Sequence, residues 1–335
     1  MNRVNNTYVQ MLDKDLIQQA IRNASRDKGD SYYVRQVCND LPHYVDKLYN
    51  MLAAGTFKPS PYREEILQCK DKVRRILKHN FFPDRCIEHT IALVMLPKWD
   101  RVVRDCSFAS WKGRGINCAD KRHSFSYQVR RIIAGHKMKN TLYCLKFDIR
   151  KCYESVNNDV LKKVVRRYCK DERMNRLIDA FIDSNEGLPI GSYMSQLLIN
   201  ILLTQLDNFI RQDCKCREYA RYMDDGAIFS EDKQMLHQVK HRVQNFLYYE
   251  LGGMELNSKR QIFPIGRSRG ERPLDMCGYC FYRGFTLLRK RIKLAIKEKR
   301  GNPRSMASYK GILIGTNSNH FINTLGYDNI QCLGH

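Results

Sequence analysis

Two strand-forming segments that carry aspartates constrain the fold of this chain more than any other feature of its sequence. Residues 141–148 form a mostly apolar, strand-forming run that ends in Asp148. Residues 219–230 predict a strand, a turn and a second strand, in which Asp224, Asp225 and Gly226 supply the turn. Because carboxylates at strand ends are costly to bury without a cation beside them, the three aspartates predict a cation site. An isolated Asp-Asp pair would by itself indicate only a favourable turn.

The chemistry expected of such a site follows from the cation that suits carboxylates. Mg²⁺ is a hard ion that binds one or two carboxylates, keeps water ligands and takes others from phosphates. Two ions held roughly 3.5–4 Å apart stabilise both the attacking and the leaving oxygen of an in-line displacement. Three acids on two adjacent strands of a basic protein therefore suggest nucleotidyl transfer with two Mg²⁺ ions, for which Mn²⁺ can substitute.

The segments around these strands predict a mixed α+β fold. Hydrophobic periodicity predicts helices across residues 8–54 and at 84–98, 157–168, 192–212 and 233–250. Further strands are predicted at 62–69, 73–79, 261–265 and 276–282. The β-α-β-β-α-β order that begins at residue 141 is the split βαβ arrangement.

The charge of the chain indicates a polyanionic partner. Its 335 residues carry 58 Lys and Arg against 35 Asp and Glu, which gives a formal net charge of +23. A folded protein of this charge repels itself unless a polyanion neutralises it, and nucleic acid is the most common such partner. An acidic membrane surface is the alternative, but we expect no membrane association, because neither terminus has a short basic amphipathic anchor.

Three features of the sequence predict a cytoplasmic protein. The apolar runs are far shorter than the ~20 residues of a membrane span. The first residues lack the apolar core of a signal peptide. The 13 cysteines, an odd number in a chain of this length, predict reduced thiols rather than a disulfide scaffold.

About half of the net charge lies in residues 259–310, which contain 15 Lys and Arg against three acidic residues. The densest part predicts a helix with Leu288, Ile292, Ala295 and Ile296 on one face. Such a helix can follow the phosphates of a duplex, and the alternative is a solvated helix face. The residues expected to bind nucleic acid are Arg289, Lys290, Arg291, Lys293 and Lys297.

Five short motifs follow one another between about residues 60 and 283. They are residues 145–156, 188–196, 222–225, 256–259 and 274–279. In this order they resemble the palm motifs of reverse transcriptases, and Tyr222-Met223-Asp224-Asp225 resembles the signature box of that family. The resemblance implies a right-hand polymerase with fingers, palm and thumb. Residues 1–60 would be an N-terminal helical extension, residues 61–283 the interleaved fingers and palm, and residues 284–335 a small basic helical thumb.

The resemblance also assigns roles at the catalytic centre. It implies that Asp148, Asp224 and Asp225 hold two metal ions, with the backbone carbonyl of Ile149 as a further ligand. Tyr153 matches the aromatic residue whose ring excludes a ribose 2′-hydroxyl, and the alternative is a core aromatic. Lys259 matches a lysine that helps to protonate the leaving pyrophosphate.

Other residues match positions that contact the incoming nucleotide. Lys72 and Arg75 resemble the first fingers motif, which grips the triphosphate. Trp111 occupies the place where the second fingers motif usually has Arg, so Lys112 or Arg114 would supply that cation. Within residues 188–196, the nucleotide-positioning residues are Ile190, Gly191 and Gln196.

The same motif indicates a kind of reverse transcriptase. Many members have Gln before the glycine and Ser-Pro at the end, where this chain has Ile190 and Ser195-Gln196. This pattern resembles the enzymes of diversity-generating retroelements. These enzymes copy a template-repeat RNA into cDNA with errors at adenines, and they work with a small basic accessory protein. The alternatives are a bacterial defence enzyme of the abortive-infection type and a retron or group II-like enzyme. The partners implied are an RNA template, the RNA/cDNA duplex, dNTPs and an accessory protein oligomer.

Overall fold

The computed structural model describes residues 6–69, 72–313 and 315–325. The chain forms two compact units, each built from three separated stretches of sequence. The first unit comprises Met1–Arg104, Lys151–Leu206 and Leu247–Met254. The second comprises Asp105–Arg150, Asp207–Phe246 and Glu255–His335.

Runs of helices and runs of strands follow one another along the described chain. The helices are α1 (Thr7–Gln10), α2 (Lys14–Ser25), α3 (Tyr32–Asn39), α4 (Leu41–Ala54), α5 (Cys86–Trp99), α6 (Phe125–Ala134), α7 (Asn158–Tyr168), α8 (Glu172–Ile182), α9 (Tyr193–Asn208), α10 (Lys233–Glu250), α11 (Lys290–Glu298), α12 (Pro303–Leu313) and α13 (Asn319–Asn323). The strands are β1 (Arg63–Cys69), β2 (Lys72–Lys78), β3 (Tyr143–Asp148), β4 (Tyr219–Tyr222), β5 (Asp225–Ser230), β6 (Gln261–Pro264), β7 (Leu274–Met276), β8 (Tyr279–Phe281) and β9 (Thr286–Leu288).

The first unit is a helical assembly with one β-hairpin. Helix α5 is apolar on nearly all sides, which suits a helix at the centre of a core. Helix α2 packs on α4 and α5 through a stripe that includes Ile17 and Ile21, and Asp13 caps its N-terminus. Strands β1 and β2 pair antiparallel in the predicted position.

The second unit contains the predicted split βαβ sheet. Its four strands are antiparallel in the order β4-β5-β3-β6, and the α+β fold class is confirmed. Phe125, Val129 and Ile133 of α6 belong to the same core cluster as Cys144 and Phe229 of the sheet. A second sheet, β7-β8-β9, contributes Tyr279, Phe281 and Leu288 to that core.

Four details differ from the sequence-based prediction. The helical stretch over residues 8–54 is divided into separate helices, and Ser31 caps α3 after a break. The predicted strand at 276–282 is the hairpin β7-β8, because Cys277 and Gly278 both adopt positive φ angles, of 51° and 87°. Leu288 lies in β9, so the first residues of the predicted thumb are a strand and α11 begins only at Lys290. Asp225 and Gly226 belong to β5, which leaves Met223 and Asp224 as the turn.

Two further observations concern the cysteines and the membrane. The eleven cysteines whose side chains the structure describes are free thiols. Across the described ranges, no helix combines the length and the apolarity that a membrane span requires.

Candidate active site

The register of two strands places the three predicted aspartates near one another. Strands β3 and β5 pair antiparallel, and Asp148 is the register partner of Asp225. Asp224 lies in the turn immediately before Asp225. All three side chains are half-buried. The pairing of the two strands therefore brings Asp148 together with carboxylates that lie 76 and 77 positions further along the sequence.

A buried arginine fixes the turn that carries Asp224. The guanidinium of Arg221 is completely buried and donates hydrogen bonds to both carboxylate oxygens of Asp207, at 2.8 and 2.7 Å. It also donates to the carbonyl oxygen of Met223, at 2.8 Å. Met223 has a φ of 55°, which is unfavourable for a residue with a side chain. Arg221 thus holds the turn in a conformation that Met223 would not adopt readily by itself.

Close packing of the strands requires glycine beside Asp225. A Cβ at Gly226 would overlap the ring of Phe147 on β3, which is the register partner of Gly226. The ring of Phe147 lies instead across the glycine backbone. This contact fixes the separation of the two strands one residue away from the carboxylates.

The electrostatics of the site disfavour three ionised carboxylates in the absence of a cation. Burial, and after it the charges of the neighbouring Asp148 and Asp225, raise the pKa of Asp224 to about 6. Burial and Asp148 also raise the pKa of Asp225, although Lys146 and Arg289 oppose this shift. Asp148 is held by Asn257, whose side-chain amide donates to its Oδ2 at 3.0 Å. A divalent cation would relieve this repulsion.

The donor set suits a hard divalent cation that completes its coordination from other sources. Among the described residues, no group of three His, Cys, Asp or Glu side chains is gathered closely enough to hold an ion by itself. Mg²⁺ needs only one or two protein carboxylates, because water and substrate phosphates supply its other ligands. The carboxylates of Asp148, Asp224 and Asp225 fit that requirement. Ile149, whose carbonyl is the further predicted ligand, is buried directly after β3.

A second group of predicted residues is gathered in the first unit. The carbonyl of Tyr153 accepts a hydrogen bond from the Leu188 amide at 2.8 Å, and the carbonyl of Ile190 accepts one from the Leu77 amide at 2.9 Å. Gly191 has a φ of 114°, and a Cβ there would lie 2.5 Å from Cγ2 of Ile76. The structure therefore ties the Ile190-Gly191 turn to strand β2. Gln196 lies half-buried in the first turn of α9.

The predicted triphosphate-binding cations of the fingers hairpin lie on β2. The backbone of Lys72 belongs to this strand, but its side chain lies outside what the structure describes. Arg75 is exposed and forms an ion pair with Glu64 of β1 at 2.7 Å. A phosphate would have to compete with Glu64 for Arg75.

The other predicted triphosphate-binding cations lie in the second unit and differ in exposure. Lys112 and Lys259 are exposed, whereas Arg114 is half-buried and donates to the carbonyl of Ser107 at 3.2 Å. Trp111, which stands where the second fingers motif usually has arginine, is buried. Lys112 is thus the more accessible of the two cations that could take the place of that arginine.

The basic segment divides into two parts. Arg289 precedes α11, and its Nε donates to Asp275 of β7 at 2.8 Å. Lys290, Arg291 and Lys297 are exposed on α11, and Lys293 lies 5.7 Å from the centre of the Phe321 ring. The buried residue of this helix is Ile296. The helix thus presents cations to solvent and an apolar side to the core.

Sequence reasoning did not identify Arg221 or Asp207 as residues of the site. Asp207 lies near the end of the apolar helix α9, and Arg221 lies in a short strand whose neighbours are buried. The sequence does contain one signal for this pair, which is a single acid and a single base in two otherwise apolar segments. Such charges are buried only when they are paired, so the pattern predicts that they contact each other.

Comparisons with known proteins agree with this geometry. LtrA, the group II intron-encoded protein of Lactococcus lactis subsp. cremoris, is 24% identical over 222 residues, which cover 61% of this chain and 35% of LtrA. Protein YkfC of Escherichia coli is 22% identical over 176 residues, which cover 49% of this chain and 45% of that protein. The chain thus spans less than half the length of these two relatives.

Similarity to solved structures and to a family model completes the comparison. The truncated apo telomerase of Candida tropicalis has a TM-score of 0.52 at 13% identity, over 71% of this chain and 58% of that one. This similarity supports the right-hand polymerase fold. The model of "Reverse transcriptase (RNA-dependent DNA polymerase)" matches residues 96–278. Since the match spans more than half of the sequence, the chain belongs to the reverse transcriptase family.

Proposed function

We propose that this chain is an RNA-templated DNA polymerase that makes cDNA by two-metal-ion nucleotidyl transfer. The observation that carries the proposal is the register pairing of Asp148 with Asp225, next to Asp224 on a turn held by Arg221. The raised pKa values of Asp224 and Asp225 support it, because ionised carboxylates at this position need a cation.

In this mechanism, Asp148, Asp224, Asp225 and the carbonyl of Ile149 bind two Mg²⁺ or Mn²⁺ ions. When bound, the two ions stabilise the attacking and leaving oxygens at the transferred phosphorus. Asn257 orients Asp148 through its side-chain hydrogen bond. Arg221 orients Asp224 through the backbone of Met223.

The remaining predicted residues select and hold the substrates. Tyr153 excludes the 2′-hydroxyl of a ribonucleotide, and Ile190, Gly191 and Gln196 position the incoming nucleotide. Lys72 and Arg75 grip the triphosphate, Lys112 or Arg114 supplies the further cation, and Lys259 helps to protonate the leaving pyrophosphate. The exposed cations of α11 bind the phosphates of the RNA/cDNA duplex, an interaction that weakens as salt concentration rises.

Primer extension on an RNA template tests this proposal. The wild-type protein, given Mg²⁺ or Mn²⁺, is expected to extend a primer with deoxynucleotides and not with ribonucleotides. The Asp224→Asn/Asp225→Asn variant is expected to lose this synthesis. The matched control is Asp27→Asn/Asp30→Asn, which changes the net charge equally at two exposed positions. Synthesis that persists in the Asp224→Asn/Asp225→Asn variant would overturn the assignment of the carboxylates.

We further propose that the enzyme is of the diversity-generating retroelement type. Ile190 supports this subtype, because an apolar side chain replaces the glutamine that many reverse transcriptases place before the glycine. Such an enzyme would make errors at template adenines and work in the bacterial cytoplasm with a small basic accessory protein oligomer. The alternative is a group II-like enzyme, which the similarity to LtrA favours.

Sequencing of the cDNA made on an adenine-containing template distinguishes these subtypes. Errors concentrated at adenines support the retroelement type, and faithful copying favours the group II-like alternative. A reaction without activity is repeated with structured RNA and with the accessory protein, and failure there as well would overturn the proposed activity.

A further inference from the structure

A buried carboxylate lies between a fingers strand and the Ile190-Gly191 turn. Glu88 of α5 is within the core of the first unit, and its side chain is 1% exposed. Its Oε1 accepts a hydrogen bond from Ser192 Oγ at 2.7 Å and lies 3.2 Å from Nδ1 of His79. The side chain of His79 is also 1% exposed. One carboxylate oxygen therefore contacts two residues that are 113 positions apart in sequence.

These two residues belong to segments that meet at two other places. His79 directly follows β2, and Ser192 directly follows Gly191. The Leu77 amide of β2 donates to the carbonyl of Ile190, and the side chain of Ile76 occupies the space that a Cβ of Gly191 would need. Glu88 therefore adds a third connection, which joins the end of the fingers strand to the start of α9.

The surroundings of His79 and Ser192 fix both ends of this connection. The ring of Tyr62 stacks on His79 with the centroids 3.9 Å apart, and Phe181 meets the same imidazole edge-on at 5.5 Å. Ser192 Oγ accepts a hydrogen bond from the Ser195 amide and so caps α9. Because Ser192 is fixed to the start of α9, a movement of the Glu88 carboxylate would displace the turn before α9 and not only the Ser192 side chain.

Glu88 is costly as a packing residue. Among the described residues, its Oε2 has no hydrogen-bond partner, and neither has Nε2 of His79. A buried oxygen without a partner costs free energy, and a buried polar cluster that is replaced as a whole by apolar side chains is often tolerated as well or better. Stability alone therefore does not account for a polar cluster at this position.

We propose that Glu88 is a positioning residue that holds the Ile190-Gly191 turn against β2 and so sets how strictly the enzyme selects the incoming nucleotide. This inference rests on the proposed polymerase function. Glu88 acts through Ser192 and His79, and it contacts the turn rather than the substrate.

Replacement of Glu88 by leucine removes both contacts and leaves His79 and Ser192 buried without this acceptor. The variant is expected to be less stable than the wild type, because Nδ1 of His79 and the hydroxyl of Ser192 lose their buried partner, so denaturant unfolding is measured on the same samples as the kinetics. We expect the ratio of kcat/KM for correct over incorrect insertion to fall by at least about threefold. Most of this fall is expected in the KM of the correct nucleotide, because loosening the turn weakens its binding. Glu88→Gln keeps the Oε1 acceptor and is expected to restore most of the wild-type ratio.

Two further variants separate positioning from general damage. Ser192→Ala removes one of the two contacts and is expected to act non-additively with Glu88→Leu. Asp84→Leu is the matched control, since Asp84 is a fully buried acid whose two oxygens contact Ser60 and not the turn. This control is expected to lower stability without changing the insertion ratio. An unchanged ratio in a folded Glu88→Leu protein overturns the proposal.

A measurement without catalysis distinguishes failure of this inference from failure of the proposed function. Hydrogen exchange at the Leu77 amide reports whether the Leu77–Ile190 hydrogen bond persists, and Glu88→Leu is expected to accelerate it. If the wild-type protein makes no DNA, the polymerase proposal fails and the exchange at Leu77 decides the positioning role. Unchanged exchange at Leu77 in the variant overturns that role.

Discussion

Arg221 donates a hydrogen bond to the carbonyl oxygen of Met223, two residues further along the chain and immediately before Asp224. The same guanidinium is paired with the fully buried Asp207, which also accepts a hydrogen bond from the Tyr219 hydroxyl. The ion pair is therefore joined through a backbone atom to the turn that carries Asp224. This geometry separates two contributions of Arg221, one to stability and one to the direction of Asp224.

The first prediction separates these two contributions. Arg221→Met alone is expected to lower the free energy of unfolding by about 3–5 kcal/mol, because it leaves Asp207 buried and unpaired. Arg221→Met/Asp207→Leu/Tyr219→Phe removes the ion pair together with the hydroxyl that donates to Asp207, and it is expected to recover most of that stability. Its rate of primer extension is nevertheless expected to stay at least about tenfold below the wild-type rate, because Met223 and Asp224 are no longer held in place. Denaturant unfolding and single-turnover kinetics on the same samples give both quantities. Recovery of activity together with stability would show that the arginine has no positioning role.

The network around Arg221 also shows where sequence reasoning reaches its limit. Residues 141–148, 219–230 and 233–250 predict the central sheet and its helix, because strand alternation, turn residues and helical periodicity are local signals. The partnership of Arg221 with Asp207 depends on how a helix packs beside a strand, and no local pattern encodes it. The observed turn at Met223 and Asp224 differs from the predicted turn for the same reason. The hydrogen bond from Arg221 stabilises a φ angle at Met223 that the side chain of Met223 disfavours.

The second prediction concerns the energetic cost of placing Asp224 beside Asp148 and Asp225. The pKa of Asp224 is about 6 in the folded protein, above the usual value of 3.8. Between about pH 4 and 6 the folded state therefore holds a proton that the unfolded state has released, and stability falls as pH rises through this window. At pH 7 without divalent cations, Asp224→Asn is expected to be more stable than the wild type by about 1–3 kcal/mol, although it is inactive.

Urea unfolding at pH 4 and pH 7 measures this difference, which is expected to shrink at pH 4. Addition of Mg²⁺ is expected to stabilise the wild type more than Asp224→Asn, since the ion binds only the folded site. Asp27→Asn, at an exposed position, serves as the control. A lower stability of Asp224→Asn at pH 7 would contradict this account of the site.

The third prediction addresses fidelity at Ile190. Its backbone is fixed by the Leu77 amide, so a change of side chain need not move the turn. Ile190→Gln introduces a side chain that can hydrogen-bond near the nascent base pair. A contact worth about 0.5–1.5 kcal/mol on correct pairs alone lowers misincorporation roughly 2- to 13-fold. Sequencing of cDNA from an adenine-rich template measures this effect, and Ile190→Val is the apolar control. An unchanged error spectrum in Ile190→Gln would leave packing as the role of Ile190.

In the candidate site, the sequence predicts the three aspartates better than it predicts the residues that hold the surrounding turns in place. Asp148, Asp224 and Asp225 are recognisable because carboxylates at strand ends in apolar surroundings are costly to bury without a cation. Glu88 gives no such signal, because an acid on an apolar helix has no visible partner until Ser192 is brought to it by the fold. The ion pair of Arg75 with Glu64 follows from hairpin register and likewise needs the strands to be aligned.

The last prediction concerns stability at acid pH and does not depend on catalysis. His89 of α5 stacks on Tyr193 with the ring centroids 4.6 Å apart, and burial lowers its pKa to about 4. Because the unfolded imidazole titrates near pH 6.5, the unfolded state binds more protons between about pH 6.5 and 4, and stability is lost as pH falls through that window. At pH 5 the wild type is expected to have lost about 2 kcal/mol of unfolding free energy from this group alone.

His89→Phe keeps the ring stack and removes the titration, so its unfolding free energy is expected to fall less between pH 7.5 and 5. His241→Gln, at an exposed position of α10, is expected to follow the wild type. Urea unfolding of the three proteins at both pH values tests this assignment, and a fall in His89→Phe as large as that of the wild type would refute it.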